Sequence, residues 1–275
     1  MGHSRSARTL SSRCNVSSLF SPYFLGRRHS VKFLAFGQLV LLLALWMSAP
    51  PSTGIPSPLA VLSMWNTLAS QQGMLLELWT SIQTITVAIV LSGTISWVIA
   101  ALYTADFFKP VGTFVSSMRF LGFAGLTFLF TLWTNSAYGL KLSLLTFGMT
   151  VFLTRSMVDV VKSTPQSEID YARTLGLSGW KLTFELMVRG RSGDMLDLIR
   201  QNAAVGWTLL AMVEGITRSE GGIGAMLLNS NKYFNMNAVF AIQLTILTYG
   251  ILQDQALSWL RGALCPWTKL NRSDA

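Results

Sequence analysis

Apolar residues in this chain come in long runs separated by short polar stretches. A run of ~20 mostly apolar residues is enough to cross a bilayer as a helix. Six windows reach or approach that length: 33–49, 78–102, 114–133, 140–153, 199–216 and 238–260. Pro50 and Pro51 end the first, and a loop rich in Pro, Ser and Gly is expected from there to Gly73. A short turn is expected at Asp106, Lys109 and Pro110, and a tight reversal at 135–139. The fourth window is the shortest. It is expected either to be buried among its neighbours or to extend past Arg155.

Between the fourth and fifth windows lies a polar stretch, 163–189, reading STPQSEIDYARTLGLSGWKLTFELMVR. Two short helices are predicted within it. Ser163 or Thr164 can cap the first, with Pro165 at or next to its first position, where a missing N–H costs little. Gly176 suits the C-terminal stop. Ser178 can cap a second helix running to about Val188. Tyr171, Leu175, Trp180 and Phe184 form an apolar side, and Asp170, Arg173, Lys181 and Glu185 a polar one. The bland counterpart is an amphipathic hairpin lying on the membrane.

Composition turns the runs into a class. The chain has 275 residues, 51% of them hydrophobic and only 12% charged; soluble domains run near a quarter charged. This is an all-α polytopic membrane protein of about six spans. The net charge of +9 does not point to nucleic acid, because the basic residues flank the apolar runs, as orientation in a bilayer requires. With the N-terminus inside, Lys and Arg number six in 1–32, one at Lys109, seven between Arg155 and Arg200, and three from Arg261 onward. That makes seventeen inside against Lys141, Arg218 and Lys232 outside, with Arg119 in the third span. The count places 163–189 in the cytoplasm.

The expected organisation is a basic cytoplasmic tail (1–32), one transmembrane domain (33–267) and a C-terminal tail (268–275). Within the domain, 33–49 is the first span and 78–260 a five-span core. The tail composition also fits a transit peptide, although positive-inside charge accounts for it without cleavage. Cys14 and Cys265 both fall on the inner side, where a disulfide is not expected, and His3 and His29 have no partner at metal-ligand spacing.

The polar stretch resembles the cytoplasmic signature of permease subunits of binding-protein-dependent ABC importers: Glu-Ala-Ala, three residues, Gly, nine residues, then Ile-x-Leu-Pro. Asp170-Tyr171-Ala172 stand for the first three, Gly176 for the glycine, Leu186 and Val188 for the isoleucine and leucine, and Arg189 for the proline. The string 172–181 is most similar to the nitrate/sulfonate/taurine branch. Glu214 late in the fifth window, the turn Gly221-Gly222-Ile223-Gly224 and Asp254 in the last window fit that branch as well. Tyr171 and Arg189 depart from the pattern, as does the absence of a proline-rich motif around 119–126.

The resemblance implies a type I importer permease in a bacterial inner membrane, multi-pass, with its N-terminus cytoplasmic. It implies a pair of such subunits, homo- or heterodimeric, around one pathway. A separate ATPase would be engaged by a coupling helix that includes Asp170, Tyr171, Ala172, Arg173, Gly176 and Trp180, and solute would be delivered by an extracytoplasmic binding protein. No cofactor is implied in this chain, ATP being used by the partner; there is no G-x-x-x-x-G-K-[ST] loop to hold it here. The solute would be small, of the anionic nitrate, sulfonate or taurine kind. The alternative is a polytopic membrane enzyme or scaffold whose hairpin binds lipid or a non-ATPase partner.

Single residues within the runs are further candidates. Glu214, with Arg218 four residues on, is read as a pathway or gate residue or as half of a structural ion pair. Trp207, Ala211 and Glu214 share a helical face, so Trp207, Glu214 and Arg218 are the pathway candidates. Asp254 is expected to pair with a Lys or Arg from the inner side. Arg119 either faces the pathway of an anionic solute or snorkels to the interface.

Overall fold

The computed structural model describes residues 28–48 and 54–266. The N-terminal part of the tail with His3 and Cys14, Pro50-Pro51 and the C-terminal tail lie outside them. Among the described residues every regular element is helical. Contacts divide the chain into Met1–Pro58 and Leu59–Ala275. The first unit holds α1 (Arg28–Met47), whose Trp46 indole donates to the carbonyl of Pro56 at 3.0 Å.

The second unit carries the rest. The stretch expected as a loop before Gly73 forms a helix instead, α2 (Pro58–Gln71). Pro58 sits at its first position, where a proline is tolerated. Val61 and Leu68, seven residues apart, fall on one face and are buried, so the pattern that matters there is helical spacing and not overall Pro and Ser content. Gly73, at φ +67°, turns the chain into α3 (Met74–Leu102).

The window 114–133 is not one straight span. It is α4 (Lys109–Ser117), a 3₁₀ turn at Met118–Phe120, and α5 (Phe123–Trp133), the two halves bent by 117°. Leu121 and Gly122 take extended backbone at the break, and glycine at 122 and 125 weakens helix continuation there. The short fourth window is resolved in both expected senses: α6 (Ala137–Lys162) extends past Arg155 and is largely buried among its neighbours.

α7 (Gln166–Thr174), α8 (Gly179–Thr183) and a π-helical turn (Phe184–Gly190) make up the polar stretch. α9 (Ser192–Ile216), α10 (Ile223–Lys232) and α11 (Met236–Leu264) complete the chain.

Among the described residues α3, α6 and α11 are long and apolar enough to cross a membrane, and the bent pair counted as one span makes a fourth. α9 carries Asp194, Asp197, Arg200 and Glu214 and packs against α3, α6 and α11. The packing is that of a bilayer protein. Large apolar side chains such as Val90, Val98, Leu129, Leu132, Leu247 and Ile251 are exposed, whereas small and hydroxyl residues are buried. Between α3 and α6, Ser96 donates to the Thr150 carbonyl at 3.2 Å and Thr154 donates to Ser96 at 3.1 Å. Small residues let helix backbones approach where lipid supplies no hydrophobic drive between them.

The tightest approach is α10 on α9. A Cβ at Gly224 would lie 2.5 Å from the Ala211 Cα and 2.8 Å from its carbonyl oxygen, both backbone atoms that cannot swing aside. Gly224→Ala should therefore lower the thermal unfolding midpoint in detergent, by a cost of about 1–3 kcal/mol typical of overpacking. Gly250→Ala on α11, where a Cβ meets nothing within 4 Å, should not; the two variants compared in one melting series check this.

Candidate functional site

Two groups of residues stand out, one beyond the end of α6 and one at the opposite end of the helices. The first is the polar stretch. α7 ends as the glycine position predicts. Gly176, at φ +81°, donates its N–H to the Arg173 carbonyl at 2.9 Å, and Leu177 donates to Ala172 at 3.2 Å. This is a complete Schellman stop, and it needs a residue in the left-handed region at its turn. Ala172 is buried beneath it.

The N-terminal caps differ from expectation. The hydroxyls of Ser163 and Thr164 both donate to the Val160 carbonyl, at 2.9 and 3.4 Å, so they close the end of α6 and do not open α7. Pro165 takes the N-cap position of α7. Ser178 occupies the N-cap of α8 without a side-chain bond, and the second helix passes into a π turn from Phe184.

Asp170 and Arg173 are exposed and pair across one turn at 3.5 Å; Gln166 also donates to Asp170, at 3.1 Å. Tyr171 is 67% exposed and Trp180 57%, with Leu175 and Phe184 also open. The apolar side of the segment thus faces away from its own chain. Two ties bind the segment to the helices. Arg191 gives both oxygens of Glu168 a hydrogen bond, at 3.1 and 2.9 Å, linking α7 to the start of α9. Thr104, beyond α3, bonds Thr183 at 3.0 Å. In the neighbouring turn Lys109 hydrogen-bonds Asp106 and holds that carboxyl below its ordinary pKa.

The second group is buried. The Glu214 side chain has no exposed surface and that of Lys141 is 1% exposed; they meet at 2.8 Å. Glu214 Oε1 also accepts from the Ser81 hydroxyl at 2.7 Å, and Oε2 accepts from the Gly224 N–H at 2.8 Å. Lys141 Nζ donates to the Gly221 carbonyl at 3.3 Å. Ser81 accepts from the Ile223 N–H at 2.9 Å, and Glu77 accepts from the Gly222 N–H.

The first N–H groups of α10, orphaned by helix geometry, are therefore received by side chains from α3 and α9. A carboxylate at a helix N-terminus also meets the positive end of its dipole. These donors are committed within the chain, so the glycine turn is not a vacant phosphate loop.

This arrangement corrects the expected Glu214–Arg218 pair. α9 ends at Ile216, so Arg218 leaves the helical register and donates instead to the Gly215 carbonyl at 3.1 Å. Glu214 pairs with Lys141, a residue the charge count had assigned to an outer loop. Lys141 carries no hint in its immediate sequence; its position one turn into α6 supplies the signal only once α6 is known to begin at Ala137. Arg218 is exposed and lines a cavity of about 310 Å³ with Glu77, Gly221 and Gly222.

Trp207 lies on the same face of α9 as Glu214 but meets α11. Its indole donates to Gln253 at 2.6 Å and stands edge-on to Tyr249 at 5.4 Å. It lines a cavity of about 480 Å³ with Arg200, Ala203 and Asp254. Asp254 pairs as expected, with both oxygens 2.8 Å from Arg200; Arg200 also approaches Asp197, which Arg261 reaches at 2.8 Å. Among the described residues no group of His, Cys, Asp and Glu has the makings of a metal site.

Removing one partner of a buried pair strands a charge, which costs about 3–5 kcal/mol, whereas replacing both can be neutral. Lys141→Met should therefore be strongly destabilising, and Lys141→Met combined with Glu214→Met markedly less so. Melting of the two single variants and the double variant in detergent measures the coupling.

No protein-family model matches the chain. Over 255 residues it is 24% identical to the taurine transport system permease protein TauC of Escherichia coli (strain K12), covering 85% of this chain and 89% of the relative. Over most of its length the chain is thus similar in sequence to a permease of the nitrate/sulfonate/taurine branch of ABC importers, and its all-helical fold with membrane-length helices is consistent with such a subunit.

Proposed function

We propose that this chain is the membrane-spanning subunit of an ATP-driven importer and that the segment from Asp170 to Trp180 is its coupling surface. One observation carries the reading. Between α6 and α9, the Schellman-stopped α7 holds Asp170, Tyr171 and Arg173 exposed, at the spacing of the importer signature, and α8 follows with Trp180 exposed. An apolar and charged surface of this kind, turned away from its own chain, suits a groove on a separate ATPase.

The two ties give the surface a mechanical path. Glu168–Arg191 leads into α9, and Thr183–Thr104 leads to the end of α3. Closure of an ATPase pair against the segment would then shift the helices as bodies. In this reading a second permease subunit completes the pathway and a binding protein delivers the solute. The chain lies in the bacterial inner membrane with its N-terminus cytoplasmic, and catalyses no reaction itself.

Trp207 and Arg218, each beside a cavity, are the pathway or gate positions. Glu214 holds from within the turn that carries Arg218. The solute is a small molecule with an oxyanion head of the sulfonate type, taurine, a zwitterion with such a head, being the solute named in the relative.

Replacement of Gly176 by Val forces a β-branched residue to φ +81°, which costs more than loss of a single contact. Gly176→Val and Asp170→Lys should each reduce uptake to background in cells while the chain still reaches the membrane. ATP hydrolysis by the purified complex should lose its response to solute. Wild-type stimulation in either variant, or purification in mild detergent with no ATPase attached, overturns the coupling role.

A further inference from the structure

At the bend between α4 and α5 the structure opens a cavity of about 350 Å³, a size within the range of small-molecule sites. Its wall includes Arg119 from the 3₁₀ turn, Arg155 and Ser156 from α6, and Gln201 and Asn202 from α9. Arg155 precedes the end of α6 by seven residues and Asn202 follows the start of α9 by ten. At 1.5 Å per residue these positions lie about 10 and 15 Å inside the helix ends that carry the 163–189 segment. The cavity thus opens on the flank of the helices and not at their ends, with Arg119 and Arg155 exposed along it.

Its charge is one-sided. The recorded partner of the Arg119 guanidinium, among the described residues, is the face of Phe120 at 4.9 Å, and it meets no carboxylate there. Arg155 gives its Nε to Asp159 at 3.1 Å, which leaves the other edge of its fork for a ligand. Asp159 offsets one of the two positive charges, and the cavity keeps the other. The Asn202 amide is committed to the Met149 carbonyl at 3.1 Å and serves as wall. An arginine within a span is costly unless it meets charge or water, and a planar guanidinium matches the oxygens of an oxyanion in pairs.

We propose that Arg119 and Arg155 form an oxyanion-holding station in this cavity, taking the head of a small monoanion. As a step in solute passage the station rests on the importer reading above; anion binding itself does not. The bend has a use here, because its 3₁₀ turn sets Arg119 beside Arg155 and Ser156 of α6 and Gln201 of α9 in one cavity wall.

The test uses the full-length chain, with the subunits that copurify with it, in phosphatidylcholine nanodiscs. Methanesulfonate and its neutral isostere dimethyl sulfone are titrated at fixed ionic strength, with stabilisation against thermal unfolding as the readout. Methanesulfonate is expected to stabilise and dimethyl sulfone not. Arg119→Gln and Arg155→Gln should each raise the half-saturating concentration about tenfold or more, the loss of a charged hydrogen bond, and Arg119→Lys should recover part of the effect.

Equal response to the two compounds overturns the proposal. So does an unchanged anion response in Gln variants that melt as wild type without anion. Loss of the response when phosphatidylglycerol is added to the disc also overturns it, by assigning the site to a lipid headgroup. Absence of an attached ATPase counts against the importer reading alone, since the binding readout does not depend on it.

Discussion

The structure turns on one ion pair out of reach of water. Lys141 and Glu214 meet at 2.8 Å with almost no exposed surface. A charge stranded there without its partner is costly, and the pair's remaining hydrogen-bonding capacity is taken up by Ser81, Gly221 and Gly224. The pair is consequently a joint among four elements: α6 supplies the cation, α9 the anion, α3 the hydroxyl and α10 its N-terminal N–H groups. α10 also packs against α3, α9 and α11, but without the acceptors of this joint its own first turn would lie unsatisfied. Buried pairs are weak sources of net stability; what this one contributes is a fixed geometry for the turn that carries Arg218.

α9 runs from that joint to the opposite end of the molecule. Arg191 at its start ties it to α7 through Glu168, Arg200 to α11 through Asp254, Asn202 to α6, Trp207 to α11 and Glu214 to α6. Every polar side chain in this list finds its partner on another element. The charges that keep α9 from reading as an apolar span are the same ones that fasten it among its neighbours. A force applied at the 163–189 segment would therefore be felt at the glycine turn, because one well-anchored helix joins them.

Much of this was legible in the sequence, and the failures have physical causes. The helical windows, the Gly176 stop and the pairing of Asp254 follow from composition, backbone preference and the cost of a lone charge in a span. α2 was missed because Pro, Ser and Gly at its edges outweighed the spacing of Val61 and Leu68. The bend before α5 was missed because Gly122 and Gly125 sit in a window whose apolarity alone says span. Glu214 was assigned a neighbour in sequence, whereas its partner lies 73 positions earlier; local spacing carries no information about which distant cation the packing delivers. The capping roles of Ser163 and Thr164 reversed for a related reason, since a hydroxyl between two helices can serve either one.

The two departures from the importer signature fall where the fold makes no demand. Ala172 is buried beneath the end of α7, and Gly176 occupies a left-handed position; both match the pattern, and neither could change without disturbing the backbone. Tyr171 and Arg189 do not match, and both side chains are exposed. At 189 a proline would have removed an N–H and interrupted the winding. With arginine there the winding continues as a wider π turn to Gly190, Arg191 donating to Leu186 at 3.0 Å, before a bend at Arg191 leads into α9. Arg189 in addition pairs with Glu185 at 2.7 Å across that turn. At Ala172 and Gly176 the chain keeps what its backbone requires, whereas at Tyr171 and Arg189 it changes side chains that the fold leaves exposed.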